Sequence, residues 1–391
     1  MPLKRSVNSL PLFDETLKEK PQIKIYEVTN DRRGIDEFIN LPFVIYKRDK
    51  HFCPRLIRDQ KRQFTPENPF YSHSKVRLYI AKQGNETIGR IASIINYNHL
   101  KYHNDKTGFF GFFESYEDHR ISRELFKKVE EDLSNEGLDK MIGPMNFSTN
   151  EECGLLVDGF TEPPMIMMPY NLSYYESLLI SSGLKKAKDL FAFLYILQDT
   201  LPEKVYRVSE IAKRRGARVR LINKKNLSSD MKAFQYVYNK AWSNNWCFVP
   251  IIDEELSESI KELKMIIKED IVAIAFMGDE PVGFLGVISD FNQILKILMG
   301  RLNPLNIIRA LINIKRINQG RLLLFGIIPE FRNKGIEALL FSEVHKGLLK
   351  HKIKKIEFSW ILEDNLPTIK IAELFGGVLY KKYRIFQKEL K

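Results

Sequence analysis

A short basic turn that contains a glycine lies between an apolar strand and an apolar-periodic helix near the end of the chain. The turn occupies residues 332–337, and the strand before it ends at Ile327 and Ile328. A helix start presents unpaired backbone N–H groups and the positive end of the helix dipole, so it attracts an anion. Arg332 and Lys334 add charge. The pattern predicts an exposed turn that binds a phosphate group.

A second candidate region is the long segment 143–175, where polar groups stand beside methionines and prolines. A loop of this length in a compact domain is more often functional than idle. The methionines predict an adaptable apolar surface for an irregular ligand. The alternative is a structured loop whose polar residues cap helices and whose methionines fill the core.

Glu152 in this segment is the candidate general base, because a carboxylate partly buried among apolar side chains can have its pKa raised towards the working pH. Glu151 is the alternative base. We expect Cys153 to be a packed thiol and not a nucleophile.

The composition limits the class of protein. The chain of 391 residues suits two domains, with 44% hydrophobic and 28% charged residues. No apolar run is long enough for a transmembrane helix, and the N-terminus lacks the apolar core of a secretory signal. Three dispersed cysteines and seven histidines form no metal-binding spacing. We therefore expect a cytoplasmic protein without a metal.

The net charge of +12 favours an anionic partner, either a polyanionic cofactor or an anionic membrane face. Nucleic acid is the less favoured partner. Segment 291–320 carries five basic residues and no acid, and its apolar positions follow helical spacing on both sides of Pro304. It predicts two basic amphipathic helices, which would either lie in a membrane interface or cover the sheet of their own domain.

An internal repeat divides the chain. Segment 80–89 returns as segment 274–283, each a predicted β-hairpin around a glycine, and Gly183 and Gly377 share the same offset of 194. Both copies interleave helices with a mostly β core, which predicts a mixed α/β fold. Where the second copy has its basic turn, the first copy has segment 114–118, which contains three acidic residues. We expect these carboxylates to repel phosphates.

The basic turn resembles the acyl-CoA loop of the GNAT N-acyltransferase superfamily, R/Q-x-x-G-x-G/A. Arg332 and Gly335 match, and Glu337 departs from the glycine or alanine of the last position. The following order of helix, strand, helix led by Asn365 and strand is also that of the superfamily's cofactor-binding half. The resemblance implies acyl-CoA binding by Ile327, Ile328, Arg332, Asn333, Lys334, Gly335, Ile336 and Asn365, with an oxyanion donor among the backbone N–H groups near Ile327 or Ile328.

From about residue 77 onward the chain is similar to a narrower group, the bacterial tandem GNAT proteins that include ceramide synthases. The resemblance is carried by segments 109–114, 143–146, 152–160, 168–171 and 245–250, with Cys247 in place of an expected glycine. It implies two GNAT-like domains, each a mixed, mostly antiparallel sheet flanked by helices. Residues 1–200 would form a degenerate domain without a phosphate turn, and residues 203–391 the domain with the acyl-CoA loop and the insert.

The function that this resemblance implies is transfer of an acyl group from a thioester to the amine of a lipid or long-chain base. Asn146, Met167, Tyr170 and Trp246 would bind the acceptor. Many superfamily members protonate the thiolate with a tyrosine that this chain lacks, and Tyr383, Tyr380 or a water would replace it. A peripheral position at the inner membrane face would suit such a substrate. The alternatives are a Fem-like aminoacyl transferase and a non-catalytic thioester- or membrane-binding protein.

Overall fold

The computed structural model describes residues 22–258 and 267–391, which form a sheet of thirteen strands with helices on both faces. The strands of the first half are β1 (Ile23–Glu27), β2 (Ser74–Gln83), β3 (Glu86–Asn96), β4 (Thr107–Ser115), β5 (Lys140–Gly143), β6 (Met145–Asn146), β7 (Glu152–Cys153), β8 (Leu155–Asp158) and β9 (Lys185–Ile196). Its helices are α1 (Arg32–Ile45), α2 (Ile57–Gln63), α3 (Tyr97–His103), α4 (His119–Asn135) and α5 (Tyr175–Ser181).

Within the described residues, the second half repeats the main order of these elements without counterparts of β6, β7 and β8, and it adds a helix at its start and an insert. Its strands are β10 (Ala217–Leu221), β11 (Val272–Met277), β12 (Glu280–Ser289), β13 (Gln319–Ile327), β14 (Lys355–Leu362) and β15 (Val378–Glu389). Its helices are α6 (Glu203–Arg214), α7 (Leu227–Ala241), α8 (253–258), α9 (Asn292–Leu298), α10 (Pro304–Asn313), α11 (Ile336–Lys350) and α12 (Leu366–Leu374).

The two halves exchange their last strands within one continuous sheet. In each half, four antiparallel strands are followed by a parallel pair, β4 with β5 and β13 with β14. Strand β9, from the first half, pairs with β14, and the chain's last strand, β15, pairs with β5. The strands β9 and β15 also pair with each other in the middle of the sheet. The mixed, mostly antiparallel α/β fold is confirmed.

The internal repeat corresponds to matching turns. Gly84 and Gly278 close the β2–β3 and β11–β12 hairpins with φ angles of 62° and 61°, a conformation that favours glycine. The second pair of glycines in the repeat does not match in the same way. The structural counterpart of Gly183 is Gly376, since these two glycines follow α5 and α12 with φ angles of 86° and 85°. Pairing Gly183 with Gly377 was therefore wrong by one residue.

Hydrophobic packing also joins the halves. One core cluster contains Phe112 and Leu156 from the first half together with Cys247, Leu362 and Tyr383 from the second. The segment predicted as a long loop carries the β6–β7 hairpin, and β8 pairs with β15. Within the described ranges, no helix is both long enough and apolar enough to cross a bilayer.

Candidate active site

The parallel strands β13 and β14 separate halfway along their length. Their pairing runs from Gln319 opposite Lys355 to Leu322 opposite Phe358 and goes no further. The second half of β13 and the end of β14 therefore border an opening in the sheet. Leu322 to Phe325 form one side of this opening, and Phe341 of α11 and Ala372 of α12 are further parts of its wall.

The backbone N–H of Ile327 points away from β12, towards the side of β13 that faces β14, although Ile327 itself is outside the cavity lining. Ile327 lies opposite Gly283, and the next residue, Ile328, donates its N–H to the carbonyl of Val282 at 2.9 Å. In an antiparallel ladder this makes Ile327 and Gly283 a non-hydrogen-bonded pair, whose own N–H groups point away from each other. Ile328 is thus unavailable as an oxyanion donor, which corrects that part of the prediction.

The turn before α11 leaves the start of the helix open. Gly335 is the N-cap residue with φ of 84°, and no side chain accepts a hydrogen bond from the first turn. Asn333, with φ of 59°, and Lys334 are exposed, whereas Gly335 and Ile336 are buried. The backbone geometry therefore fits an anion, because unpaired N–H groups remain at this helix end.

Arg332 and Gly335 make contacts that the sequence did not indicate. Arg332 donates from Nε to the Ile327 carbonyl at 3.0 Å and from Nη2 to the Ala241 carbonyl at 2.9 Å, so it holds the turn against β13 and α7. A Cβ atom at Gly335 would lie 2.9 Å from the carbonyl oxygen of Val208 in α6. The expectation that the whole turn is exposed is wrong at Gly335.

In the first half, the equivalent opening and helix start are filled by the chain itself. A Cβ at Gly111 of β4 would overlap the carbonyl oxygen of Met145, and the Phe112 N–H donates to Asn146 Oδ1 at 2.8 Å. The Asp118 side chain caps α4 by accepting from the Arg120 N–H at 2.9 Å. Met145 and Asn146 therefore occupy the space beside Gly111 and Phe112, and the start of α4 is capped by a side chain.

The Glu114 carboxylate is bound by other side chains, which corrects the expectation that it repels phosphates. Its carboxylate accepts hydrogen bonds from the hydroxyls of Tyr46 and Tyr175, both at 2.7 Å, and lies 3.6 Å from Arg90. Burial raises the pKa of Glu114, although Arg90 and the two hydroxyls oppose that rise. This cluster forms part of the cavity described next.

A cavity of about 920 Å³ lies between the halves and continues into the β13–β14 opening. Apolar and aromatic side chains make up much of its wall, as in many ligand sites. Its lining brings together Asn146, Glu152, Met167, Tyr170, Trp246 and Asn365, all singled out from the sequence. Tyr383 and the phosphate-turn residues lie outside this lining.

Glu152 is held in the cavity by the β6–β7 hairpin. The amide of Asn146 donates from Nδ2 to Glu152 Oε2 at 3.3 Å, while its oxygen accepts the Phe112 N–H. One asparagine therefore fixes the carboxylate relative to β4. The neighbouring Cys153 is buried, and burial raises the pKa of its thiol to about 12, so it remains a protonated, packed thiol at neutral pH.

The other predicted contacts have structural roles as well. Tyr170 donates its hydroxyl to Asp49 at 2.8 Å, and burial raises its pKa. Asn365 caps α12 by accepting from the Thr368 N–H at 3.3 Å. Tyr383 is fully buried, and within the described part of the chain its hydroxyl has no hydrogen-bond partner. The structure therefore gives Tyr383 no path to a thiolate, and its assignment as the acid is withdrawn.

Sequence reasoning missed a buried polar network beside the cavity. Arg321 donates to the carbonyls of Ile166 at 3.0 Å and Met167 at 2.9 Å, and to Ser359 Oγ at 2.8 Å. Glu357 accepts from Ser359 and Tyr380. The network ties the methionine-containing loop of the first half to β13 and β14. The sequence signal for this network was a charged residue within each of two mostly apolar strands, Arg321 in β13 and Glu357 in β14.

Asp290 fixes the same loop from the start of the insert. Its carboxylate accepts the N–H of Ile166 at 2.9 Å and that of Asn292 at 3.2 Å. Burial raises the pKa of Asp290 to about 6, despite these two hydrogen bonds. The wall of the cavity that carries Met167 is thus held by charged residues of the second half.

The fold is that of the tandem GNAT proteins. A tandem GNAT protein from the clavulanic acid biosynthesis pathway has a TM-score of 0.59, with 10% identity, over 95% of this chain and 99% of its own. The glucosamine N-acetyltransferase region of a fungal multidomain β-N-acetylglucosaminidase has a TM-score of 0.57, with 12% identity, over 94% of this chain and 38% of that chain. No protein-family model matches the chain.

Two curated proteins are similar over nearly the whole length. Protein YghO of Escherichia coli strain K12 is 27% identical over 366 residues, covering 92% of this chain and 94% of its own. The bacterial ceramide synthase of Caulobacter vibrioides is 29% identical over 364 residues, covering 91% and 95%. The resemblance to the tandem GNAT group that includes bacterial ceramide synthases is confirmed.

Proposed function

We propose that the protein transfers an acyl group from acyl-CoA, or a related acyl thioester, to an amine. The observation that carries this proposal is the single cavity that joins the β13–β14 opening to Glu152. An acyl donor in the opening and an amine near the carboxylate would meet inside this cavity. The tandem GNAT fold and the similarity to a ceramide synthase support the same reaction.

The chain has groups suited to each part of the donor. The uncapped start of α11, with Asn333, Lys334 and the charge of Arg332 nearby, would bind the pyrophosphate. The border of the β13–β14 opening would accept the extended thioester arm. The Ile327 N–H would stabilise the oxyanion that forms when the carbonyl is attacked.

In the proposed step, a neutral amine attacks the thioester carbonyl. A C–N bond forms and the C–S bond breaks, while Glu152 takes the proton that the amine nitrogen loses. The sulfur leaves as a thiolate and takes a proton from water, and Glu152 returns the amine proton to the solvent. Asn146 keeps the Glu152 carboxylate in place through its 3.3 Å hydrogen bond.

The acceptor that the cavity suits best is a long-chain amine. Phe112 and Met168 from the first half and Trp246 and Phe248 from the second contribute apolar surface to the wall. A sphingoid base combines an amine with such a chain, and the named activity of the Caulobacter relative supports this substrate class. A peripheral position at the inner membrane face would then give access to the substrate.

Comparing Glu152→Gln with Glu151→Gln tests the assignment of the base. We expect Glu152→Gln to lower turnover by roughly 10²- to 10⁴-fold, because a general base contributes that much. Glu151→Gln, the matched control on the same hairpin connection, should retain most activity. Acyl-CoA affinity, measured by calorimetry, should be unchanged in both variants.

Activity would be followed as release of free thiol from acyl-CoA in the presence of short and long amines. Equal turnover in the parent and Glu152→Gln would remove Glu152 from the mechanism. Failure of the parent to bind acyl-CoA would contradict the proposed function itself. In that case, aminoacyl-tRNA would be tested as the donor.

A further inference from the structure

Helix α10 leaves an apolar face uncovered. Leu305, Ile308, Leu311 and Ile312 are all exposed, with 56% of Ile308 and 63% of Leu311 accessible to solvent. Ala310 is the one buried residue of this helix. Large exposed side chains in a contiguous group mark an interaction surface more often than a single exposed residue does. We name these four residues the α10 face.

Helix α9 is different, because it packs on the protein and reaches the cavity. Ile294 and Leu298 are buried together with Ala310 and Ile317 in a small core that includes Leu56. The turn after α9 is fixed by a hydrogen bond from the Ile57 N–H to the Gly300 carbonyl at 2.9 Å. The insert is therefore anchored through α9 while α10 faces outward.

The insert also borders one end of the cavity. Phe291 and Leu295 at the start of the insert line it, as do Phe43 and Phe52 of the first half. The anchored helix and the segment 42–56 thus form adjoining parts of the wall. Phe291 and Leu295 thus connect the insert that carries the α10 face to the cavity.

The exposed charges around the α10 face are all basic and favour an anionic partner. Arg301, Arg309, Lys315 and Arg316 are exposed, and none pairs with a carboxylate within the described parts of the chain. Segment 291–320 contains no acid, so two copies of this face would repel each other. An anionic lipid surface complements both the apolar and the basic residues.

We propose that the α10 face docks on an anionic bilayer and that the acceptor enters the cavity at the end lined by Phe291 and Leu295. The route rests on the proposed function, since it supplies the amine to that cavity, whereas the docking itself does not. The apolar side chains enter the acyl boundary, and the long basic side chains reach the head groups. The bilayer thereby holds the protein with its cavity close to a water-insoluble substrate.

Ile308→Glu and Ile180→Glu form a matched pair for the test. Both isoleucines are 56% exposed on helices, and Ile180 of α5 lies outside the insert and the cavity lining. Sedimentation would use phosphatidylcholine vesicles with and without phosphatidylglycerol. We expect Ile308→Glu to weaken vesicle binding at least about tenfold, because a charge replaces an apolar side chain that would be buried in the bilayer. Ile180→Glu should bind vesicles like the parent.

The charge contribution is tested with Arg309→Gln and Lys315→Gln. Each should weaken binding about fivefold on vesicles that contain phosphatidylglycerol, and little on phosphatidylcholine alone. If Ile308→Glu binds as well as the parent, the docking proposal is overturned. The same holds if the parent is a dimer that Ile308→Glu converts to a monomer, because the face would then join two copies.

Activity assays separate the docking proposal from the proposed function. With docking lost, the Ile308→Glu variant should acylate a long-chain amine in vesicles more slowly but turn over a short soluble amine like the parent. Equal rates on the vesicle-bound amine would overturn the entry route. Intact vesicle binding with no acyl transfer to any amine would contradict the proposed function and leave docking supported.

Discussion

Gly335 holds the start of α11 in a conformation that glycine adopts without strain. Its φ of 84° lies in the left-handed region, and the space beside its Cα is taken by Val208 and Ala212 of α6. Two separate constraints therefore act at one position. Gly376 has nearly the same φ of 85° but no atom within 4 Å of a built Cβ.

We expect Gly376→Ala to lower the free energy of unfolding by about 1 kcal/mol, the cost of a left-handed alanine. Gly335→Ala should lower it by about a further 1–3 kcal/mol, because the added methyl group meets the Val208 backbone. Urea denaturation of both variants and the parent measures the difference. If both variants lose the same free energy of unfolding, then α6 shifts to accommodate the methyl group at Gly335 at little energetic cost.

Arg321 positions part of the cavity wall through its hydrogen bonds to other residues. Its buried guanidinium bonds the carbonyls of Ile166 and Met167, so a strand of the second half fixes a loop of the first. A buried cation is tolerated when its donors are satisfied and a carboxylate is near, and Glu357 supplies that carboxylate. The shape of the cavity wall thus depends on a residue that need not touch the substrate.

Helices α4 and α11 occupy equivalent places in the two halves but differ at their first residues. Asp118 satisfies the start of α4 with its own carboxylate, whereas Gly335 leaves the start of α11 without a side-chain cap. The openings beside them differ too, because Met145 and Asn146 fill the one next to β4. Among the described residues, the second half combines an unfilled opening with a helix start that has no side-chain cap, the two features that the proposed donor site uses.

We therefore expect one acyl-CoA to bind per chain. Titration calorimetry should give a stoichiometry near one, and Lys334→Glu should weaken binding because it places a like charge beside the phosphates. Lys128→Glu on α4 is the control, and it should leave the affinity unchanged. Two equivalent sites per chain would show that the first half binds donor despite its filled opening.

The exchange of β9 and β15 joins the two halves of the repeat in one continuous sheet. Strand β15 supplies Tyr383 and Ile385 to the core cluster that contains Phe112, and Phe386 to the cluster under α4. Strand β9 leaves the first half to pair with β14. A cut between the halves would remove core residues from one and expose strand edges in both.

A fragment of residues 1–200 should therefore fail to fold alone. It lacks β15 and carries β9 with unpaired edges, so we expect aggregation or a non-cooperative thermal transition by circular dichroism. The full chain should unfold in a single transition. A monomeric fragment that melts cooperatively would show that the proposed division at residue 200 is also a folding boundary.

The sequence alone determined the features that depend on local spacing. Hairpin glycines at residues 84 and 278, the basic turn before α11 and the two-part insert are all encoded within short windows, because φ preferences and apolar periodicity act between near neighbours. The tandem GNAT fold was implied by the resemblance of these segments to the superfamily, and the structural neighbours confirm it. The cavity contacts of Glu152 and Asn146 were also anticipated, since a long polar segment marked them.

Only the tertiary structure decided features that join distant residues. The strand exchange pairs residues 140–143 with 386–389, and no local pattern specifies which of several apolar strands becomes a neighbour. Tyr383 is buried and was therefore removed as the candidate acid. The N–H of Ile328 is hydrogen-bonded to Val282 and is not free to bind an oxyanion. Arg321 acquired its role from carbonyls about 155 residues away. Such contacts depend on how whole elements pack, which is why the sequence could not predict them.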